Sequence, residues 1–210
     1  MRNRVALRFA VEGDLRFISH HDTLRMFERA MSRAELPVRH SEGFNPRPRM
    51  TIALPRSVGV ASSDELLVLE LTLPLGASRV VEQMSRVMPE GIRIVSGQDL
   101  DDKDRRLPYE ARYEMGLSPS DGKHVLQRAA AFLSRSTYEV DRDIPKRNEK
   151  KRVDIRSYVT SIDVAVDRLQ WTQLVTTFGT VRPDEMLEAL GFSPQEHVHR
   201  LHRFAVKYHA

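Results

Sequence analysis

Apolar and polar residues change their spacing several times along the chain, and each change marks an element. Val5, Leu7, Phe9 and Val11 alternate with Ala6, Arg8 and Ala10, the period of two that a half-buried strand requires. Gly13-Asp14 ends that strand, and "FISHHDTLRMFERAMSRAEL" follows with Leu24, Phe27, Met31 and Ala34 at helical spacing. Ser19 and Asp22 stand as a capping box at the helix start, and Leu36-Pro37 closes it. Thr51 to Leu54 is a short strand. Glu65 to Leu73 is a second, with Leu67, Leu69, Leu71 and Leu73 on one face. Ser78 caps a helix carrying Val80 or Val81, Met84 and Val87, and Ile92, Ile94 and Ser96 form the next strand. Strand, helix, strand, strand, helix, strand is the split β-α-β order of a ferredoxin-like domain, an antiparallel sheet with helices on one face.

The second half partly repeats this order. Tyr109 to Leu117 is a strand, Ser120 to Arg135 a helix with Val125, Ala129, Phe132 and Leu133 inward, and Thr137 to Val140 a strand. "DRDIPKRNEKKR" is too charged to be anything but exposed. Val153 to Ala165 and Leu169 to Thr177 alternate as a hairpin turning at Asp167-Arg168. "VRPDEMLEALGF" is a short helix with Pro183 in its first turn, Asp184 and Glu185 at its positive end and Gly191 as its stop. His199 to Lys207 is the last strand. The expected fold is therefore α+β, two tandem ferredoxin-like units: 1–98, a polar linker 99–108 ("DLDDKDRRLP"), and 109–210.

Composition narrows the function classes. In 210 residues, 40% hydrophobic and 30% charged, enough apolar surface exists to build cores. No run approaches the ~20 apolar residues of a spanning helix, and the first residues lack the pattern of a secretory signal, so no membrane role and a cytoplasmic location are expected. The absence of cysteine removes disulfides, thiol nucleophiles and cysteine-held iron–sulfur clusters. The formal charge is only +4, yet residues 1–50 hold ten arginines against six acids. Such a face suits RNA or another polyanion, but an excess this modest is more often ordinary solvated surface.

Several groupings of side chains bear on chemistry. His20, His21 and Asp22 put imidazole and carboxylate at a helix start, although neighbouring helical residues point in different directions and Asp22 has a capping role. Arg25, Arg29 and Arg33, four apart, form one stripe, diluted by Glu28 and Glu35. In "SEGFNPRPRMTIAL", Gly43 accepts a positive φ and Asn45-Pro46 favours a turn. Pro46 and Pro48 hold Arg47 and Arg49 extended and outward, pre-ordered for phosphate or carboxylate. Glu42, Phe44 and Asn45 belong to the same loop. Lys146, Arg147, Lys150, Lys151 and Arg152 form a basic segment suited to RNA or simply to solvent. His197 and His199 would share a face of a strand and His202 would not, so no metal site is expected. No P-loop, dinucleotide fingerprint or nucleophile elbow is present.

"DLRFISHHDTLRMFERAMSRAELPV", "SEGFNPRPRMTIALPRSVGVASSDELLVLEL", "VDIRSYV" and "VRPDEMLEALG" together resemble the radical-SAM-associated domain family of unknown function. The matching motif positions are Ser41, Glu42, Gly43, Phe44, Asn45, Pro46, Asp154, Arg156, Arg182, Pro183 and Asp184. Arg47 stands where the family's pattern is less constrained and often histidine. The resemblance implies a domain fused to, or encoded beside, radical SAM proteins with a cobalamin-type domain, in a setting with ribosomal proteins and a ribonuclease of the E/G type. Lacking cysteine, this chain would hold no cofactor of its own; S-adenosylmethionine and the iron–sulfur cluster would come only through a partner.

The expected function is a non-catalytic partner or adaptor of a separate radical SAM enzyme that binds RNA or nucleoprotein, with ribosomal components as further partners. Two alternatives stand beside it. One is a stand-alone RNA-modifying enzyme using His20, His21, Asp22 or Asp154 as acid/base groups in a cleft between domains. The other is a protein adaptor that never touches RNA.

Overall fold

A computed structural model describes the chain except residues 1–2, 119–120, 145–148 and 210. Two compact units divide it, a first running to Pro108 and including the last residues from Tyr208, and a second from Tyr109 to Lys207.

In the first unit, β1 (Asn3–Val11) leads through a 3-10 turn at Gly13–Phe17 into α1 (His20–Arg33); β2 (Met50–Ile52), β3 (Ala61–Leu71), α2 (Ala77–Ser85) and β4 (Ile92–Leu100) follow. The sheet order is β4-β1-β3-β2, and every pairing is antiparallel. Leu7 stands opposite Leu67 and Val5 opposite Leu69, so the alternating residues of both strands present one continuous apolar face. α1 lies on that face because Phe27, Ala30 and Met31 recur at three and four. Phe27 meets Phe9 edge to face with ring centroids 4.8 Å apart. Val80 and Met84 of α2 extend the same core. Ser19 Oγ accepts from the Asp22 N–H at 3.1 Å and donates to the Asp22 carboxylate at 2.7 Å, so the start of α1 is fixed by the residues expected to cap it.

Four differences from the sequence expectation stand out. β3 is buried on both faces, because Leu66 and Val68 pack with Ala6 and Leu100 on the side opposite α1. Leu73 lies past its end and is exposed, since the strand stops at Leu71. α2 begins at Ala77, with Gly76 in the capping position at φ +79, so Ser78 sits inside the helix. The stretch expected as a linker from residue 99 contains the end of β4, which runs to Leu100.

The second unit contains β5 (Pro108–Gly116), α3 (Gly122–Leu133), β6 (Glu139–Ile144), β7 (Glu149–Asp154), β8 (Val159–Val164), β9 (Arg168–Leu174), α4 (Pro183–Ala189), α5 (Pro194–His197) and β10 (Leu201–Tyr208). Its sheet runs β10-β5-β9-β8, and β6 and β7 pair as a separate two-stranded ribbon. The run "DRDI…EKKR" thus lies in the two arms of that ribbon, and Val153 belongs to β7, not to the following hairpin. Tyr113 and Trp171 sit opposite each other and stack at 5.0 Å. Trp171 Nε1 donates to Gln173, whose own amide donates to the Val181 carbonyl at 2.8 Å, tying β9 to the approach to α4. His199 lies in a 3-10 turn ahead of β10, and His197 in α5, so the two do not share a strand face.

Among the described residues no helix is long and apolar enough to cross a membrane.

Candidate nucleic-acid interface

The segment from Ser41 to Arg49 is a closed loop tied at its neck. The Ser41 N–H donates to the Arg47 carbonyl at 2.8 Å, the Arg47 N–H returns to Ser41 Oγ at 3.0 Å, and His40 and Pro48 form an isolated antiparallel bridge. Gly43 adopts φ +129, a conformation that a side chain would strain. At the tip Phe44 is fully exposed, flanked by exposed Asn45, Pro46 and Arg47. An aromatic ring costs free energy in water, and this one lies uncovered between the tied ends of the loop.

Arg47 points to solvent as the sequence predicts, but Arg49 does not. Its backbone joins the edge of β3, donating to the Arg39 carbonyl at 2.7 Å and accepting from the Glu70 N–H at 3.0 Å. That pairing places the Arg49 guanidinium 3.6 Å from the Glu70 carboxylate, with only about a third of the side chain accessible. The two arginines separated by one proline therefore differ in role: one is presented, one is a wall.

That wall belongs to a pocket of about 430 Å³ beside the foot of the loop. Arg4, Arg49, Arg105 and Arg106 line it with Glu70 as the one acid, against apolar surface from Met50, Val68, Leu107 and Pro108. Arg4 donates to the carbonyls of Asp101 and Asp104, and Arg106 donates to the Asp104 carboxylate at 2.8 Å and to Gln98 at 2.9 Å. These bonds hold Arg106 at φ +47. Arg105 and Arg106 fall in the segment expected as linker; their one sequence signal is a pair of arginines directly ahead of the Leu107-Pro108 step.

The arginines of α1 form an exposed stripe. Arg25 lies 3.7 Å from Asp22, Arg29 is exposed, and Arg33 donates to the Val87 carbonyl at 2.9 Å. His20 is half-buried in a crevice with Phe9, Thr23, Ile52, Arg56 and Glu65, while His21 is exposed. Burial, and then the neighbouring His21, lower the His20 pKa below its ordinary value. Arg56, which the sequence reading did not single out, gathers the carbonyls of Arg16 (2.6 Å), Val60 (2.5 Å), Leu15 and Ser57, clasping the two loops that frame this crevice.

In the second unit the motif residues serve the backbone. Asp154 Oδ1 accepts from the N–H groups of Tyr138 and Arg156 at 2.8 and 3.0 Å, and Arg156 donates to the carbonyls of Val159 and Leu133. Pro183 is buried and Arg182 and Asp184 are exposed at the start of α4, where Glu185 accepts from the Arg182 N–H at 2.8 Å. Glu185 also takes a two-pronged ion pair from Arg142, at 2.5 and 2.7 Å. Lys150 and Lys151 are exposed on β7, but Arg152 lies 3.7 Å from Glu139 and 3.6 Å from Asp141, so β6 offsets part of the basic segment. Lys146 and Arg147 lie outside the described residues. A groove of about 420 Å³ beside this ribbon is lined by Glu139, Asp141, Asp143, Asp184, Glu185 and Glu188 against Arg142 and Arg182, an acidic excess that disfavours phosphate. His202 Nδ1 lies 3.1 Å from Glu114, and His197 Nδ1 lies 3.0 Å from the Ser193 carbonyl. Among the described residues no three His, Asp or Glu side chains gather as metal ligands.

The fold is thus a mixed α+β one, built on antiparallel sheets with helices, and the positive, aromatic-tipped surface lies in its first unit. Residues 4–184 match the family described as "Uncharacterized protein conserved in bacteria (DUF2344)", and the chain belongs to that family. No curated protein matches. Among solved structures, "an Unknown Protein from Galdieria sulphuraria" aligns over 100% of both chains at 13% identity with a TM-score of 0.28, a likeness too low to carry an argument.

Proposed function

We propose that this protein is a non-catalytic RNA-binding module, acting on free RNA or ribosomal components as the partner of a separate radical SAM enzyme. The observation that carries the RNA reading is Phe44, fully exposed on a hydrogen-bonded loop with Arg47 beside it. An exposed ring with a neighbouring guanidinium is what an unstacked base and its phosphate require, and a loop closed at its neck lowers the ordering cost of binding. The exposed Arg25, Arg29 and Arg33 stripe extends the positive surface in the same unit. The radical SAM partner follows from the resemblance of the loop and helix motifs. With no cysteine in the chain, the cluster and S-adenosylmethionine would reside on that partner. The strand orders β4-β1-β3-β2 and β10-β5-β9-β8 support reading each unit as ferredoxin-like, the second with the β6–β7 ribbon inserted after α3.

Anisotropy of a labelled single-stranded oligoribonucleotide, titrated over a series of salt concentrations, tests the RNA reading. Affinity should fall with rising salt, and Phe44→Ala should weaken it by about tenfold, the order of one lost base–aromatic stack. The Phe44→Ala, Arg47→Ala double variant should also lower the salt slope. Binding that ignores salt, or a double variant equal to the wild type, overturns the proposal.

A further inference from the structure

The arginine-walled pocket beside β2 has a composition that the loop alone does not explain. Four arginines line a pocket of about 430 Å³, within the range of small-ligand sites. Two of them are committed: Arg4 to two backbone carbonyls and Arg106 to Asp104 and Gln98. Two retain donors. Arg105 is exposed and makes no hydrogen bond or ion pair among the described residues. Arg49 meets Glu70 only at 3.6 Å, and its buried Nε finds no acceptor among the described residues. A buried guanidinium N–H without an acceptor is a costly state that an anionic oxygen relieves. Met50, Leu107 and Pro108 line the same pocket and supply apolar surface. Donors for a phosphate together with apolar surface match one nucleotide better than a bare anion, for which the apolar surface would have no use.

We propose that this pocket is a subsite for a single phosphate-bearing nucleotide, with the phosphate on Arg49 and Arg105 and the base or ribose against Met50, Leu107 and Pro108. Because Arg49 closes the loop and β2 begins at Met50, a strand stacked on Phe44 would continue into the pocket; in this respect the subsite rests on the RNA reading above. The same chemistry also fits a free nucleotide.

Calorimetric titration of the full chain with inorganic phosphate, a nucleoside monophosphate and a short single-stranded oligoribonucleotide separates these sources. The expected result is saturable binding of the monophosphate, tighter than inorganic phosphate by tenfold or more. Arg105→Ala should weaken the monophosphate at least fivefold while thermal unfolding stays unchanged, and Leu107→Ser, which removes apolar surface without adding charge, should weaken it without affecting inorganic phosphate. No saturable monophosphate binding, or binding unaffected by Arg105→Ala, overturns the subsite, and does so even if the oligoribonucleotide still binds in a salt-dependent way through Phe44. Monophosphate binding with no gain from the longer RNA supports the subsite for a free nucleotide and overturns the RNA reading instead.

Discussion

Removing Arg142 should destabilise the second unit by about 3 kcal/mol. Its guanidinium reaches Glu185 through two N–H donors at 2.5 and 2.7 Å and the Thr180 carbonyl at 2.6 Å. The two side chains retain only 15% and 9% of their accessible surface. Breaking a buried pair from one side costs about 3 to 5 kcal/mol, because the remaining charge is left without compensation. Glu185 would keep one donor, the Arg182 N–H, which places Arg142→Met at the lower end of that range. Arg142→Lys should recover little, since an ammonium cannot reproduce the fork. Removing both partners, Arg142→Met with Glu185→Leu, should cost well under the sum of the single changes, leaving a coupling of about 2 kcal/mol. The single tryptophan makes the assay local: Trp171 is buried at 1% exposure in the same unit, so urea unfolding followed by its fluorescence reads the unit that holds the pair. A loss below about 1 kcal/mol for Arg142→Met, or additive single variants, would refute a buried, coupled pair.

Two further outcomes are expected. His20 should titrate below its ordinary value of about 6.5, visible in the NMR shifts of its ring protons. With the folded-state pKa the lower one, acidification through about pH 6.5 protonates the unfolded chain first, so stability declines there and levels off below the folded pKa. His20→Gln should flatten that part of the profile, and an unchanged profile would contradict the burial of the ring. Gly97→Val should destabilise the first unit by about 1 to 3 kcal/mol in chemical denaturation. Even the first carbon of a side chain there would lie 2.6 Å from Val81 Cγ2 and 3.2 Å from the Ala77 carbonyl, where α2 packs on β4. A neutral result would mean that the helix can move aside.

Elements with a strong local signal were legible in the sequence, and those set by distant partners were not. The period of two in Val5 to Val11 and the three-four spacing of Leu24, Phe27 and Met31 stand in the structure as β1 and α1, and Ser19 and Asp22 form the cap that their spacing implies. Local chemistry suffices there because the strand face, the helix face and the cap involve residues a few positions apart. It also sufficed for the positive φ of Gly43 and for the outward Arg47.

Register and long-range charge pairing were beyond it. Whether Arg49 faces solvent depends on Glu70, twenty-one residues away, and the sequence gives no sign that the two backbones pair at the sheet edge. Arg105 and Arg106 read as linker until β4 and the bonds from Arg106 to Gln98 and Asp104 bring them beside Arg4. Asp154, an acid/base candidate by residue type alone, accepts from two backbone N–H groups in the fold, and the motif residue Arg156 donates to two carbonyls, partners that no local spacing announces. A charged side chain advertises its charge in the sequence; whether that charge is spent inside the protein or offered outside depends on which carbonyl or carboxylate the fold places within about 3 Å of it, and only the tertiary structure decides that.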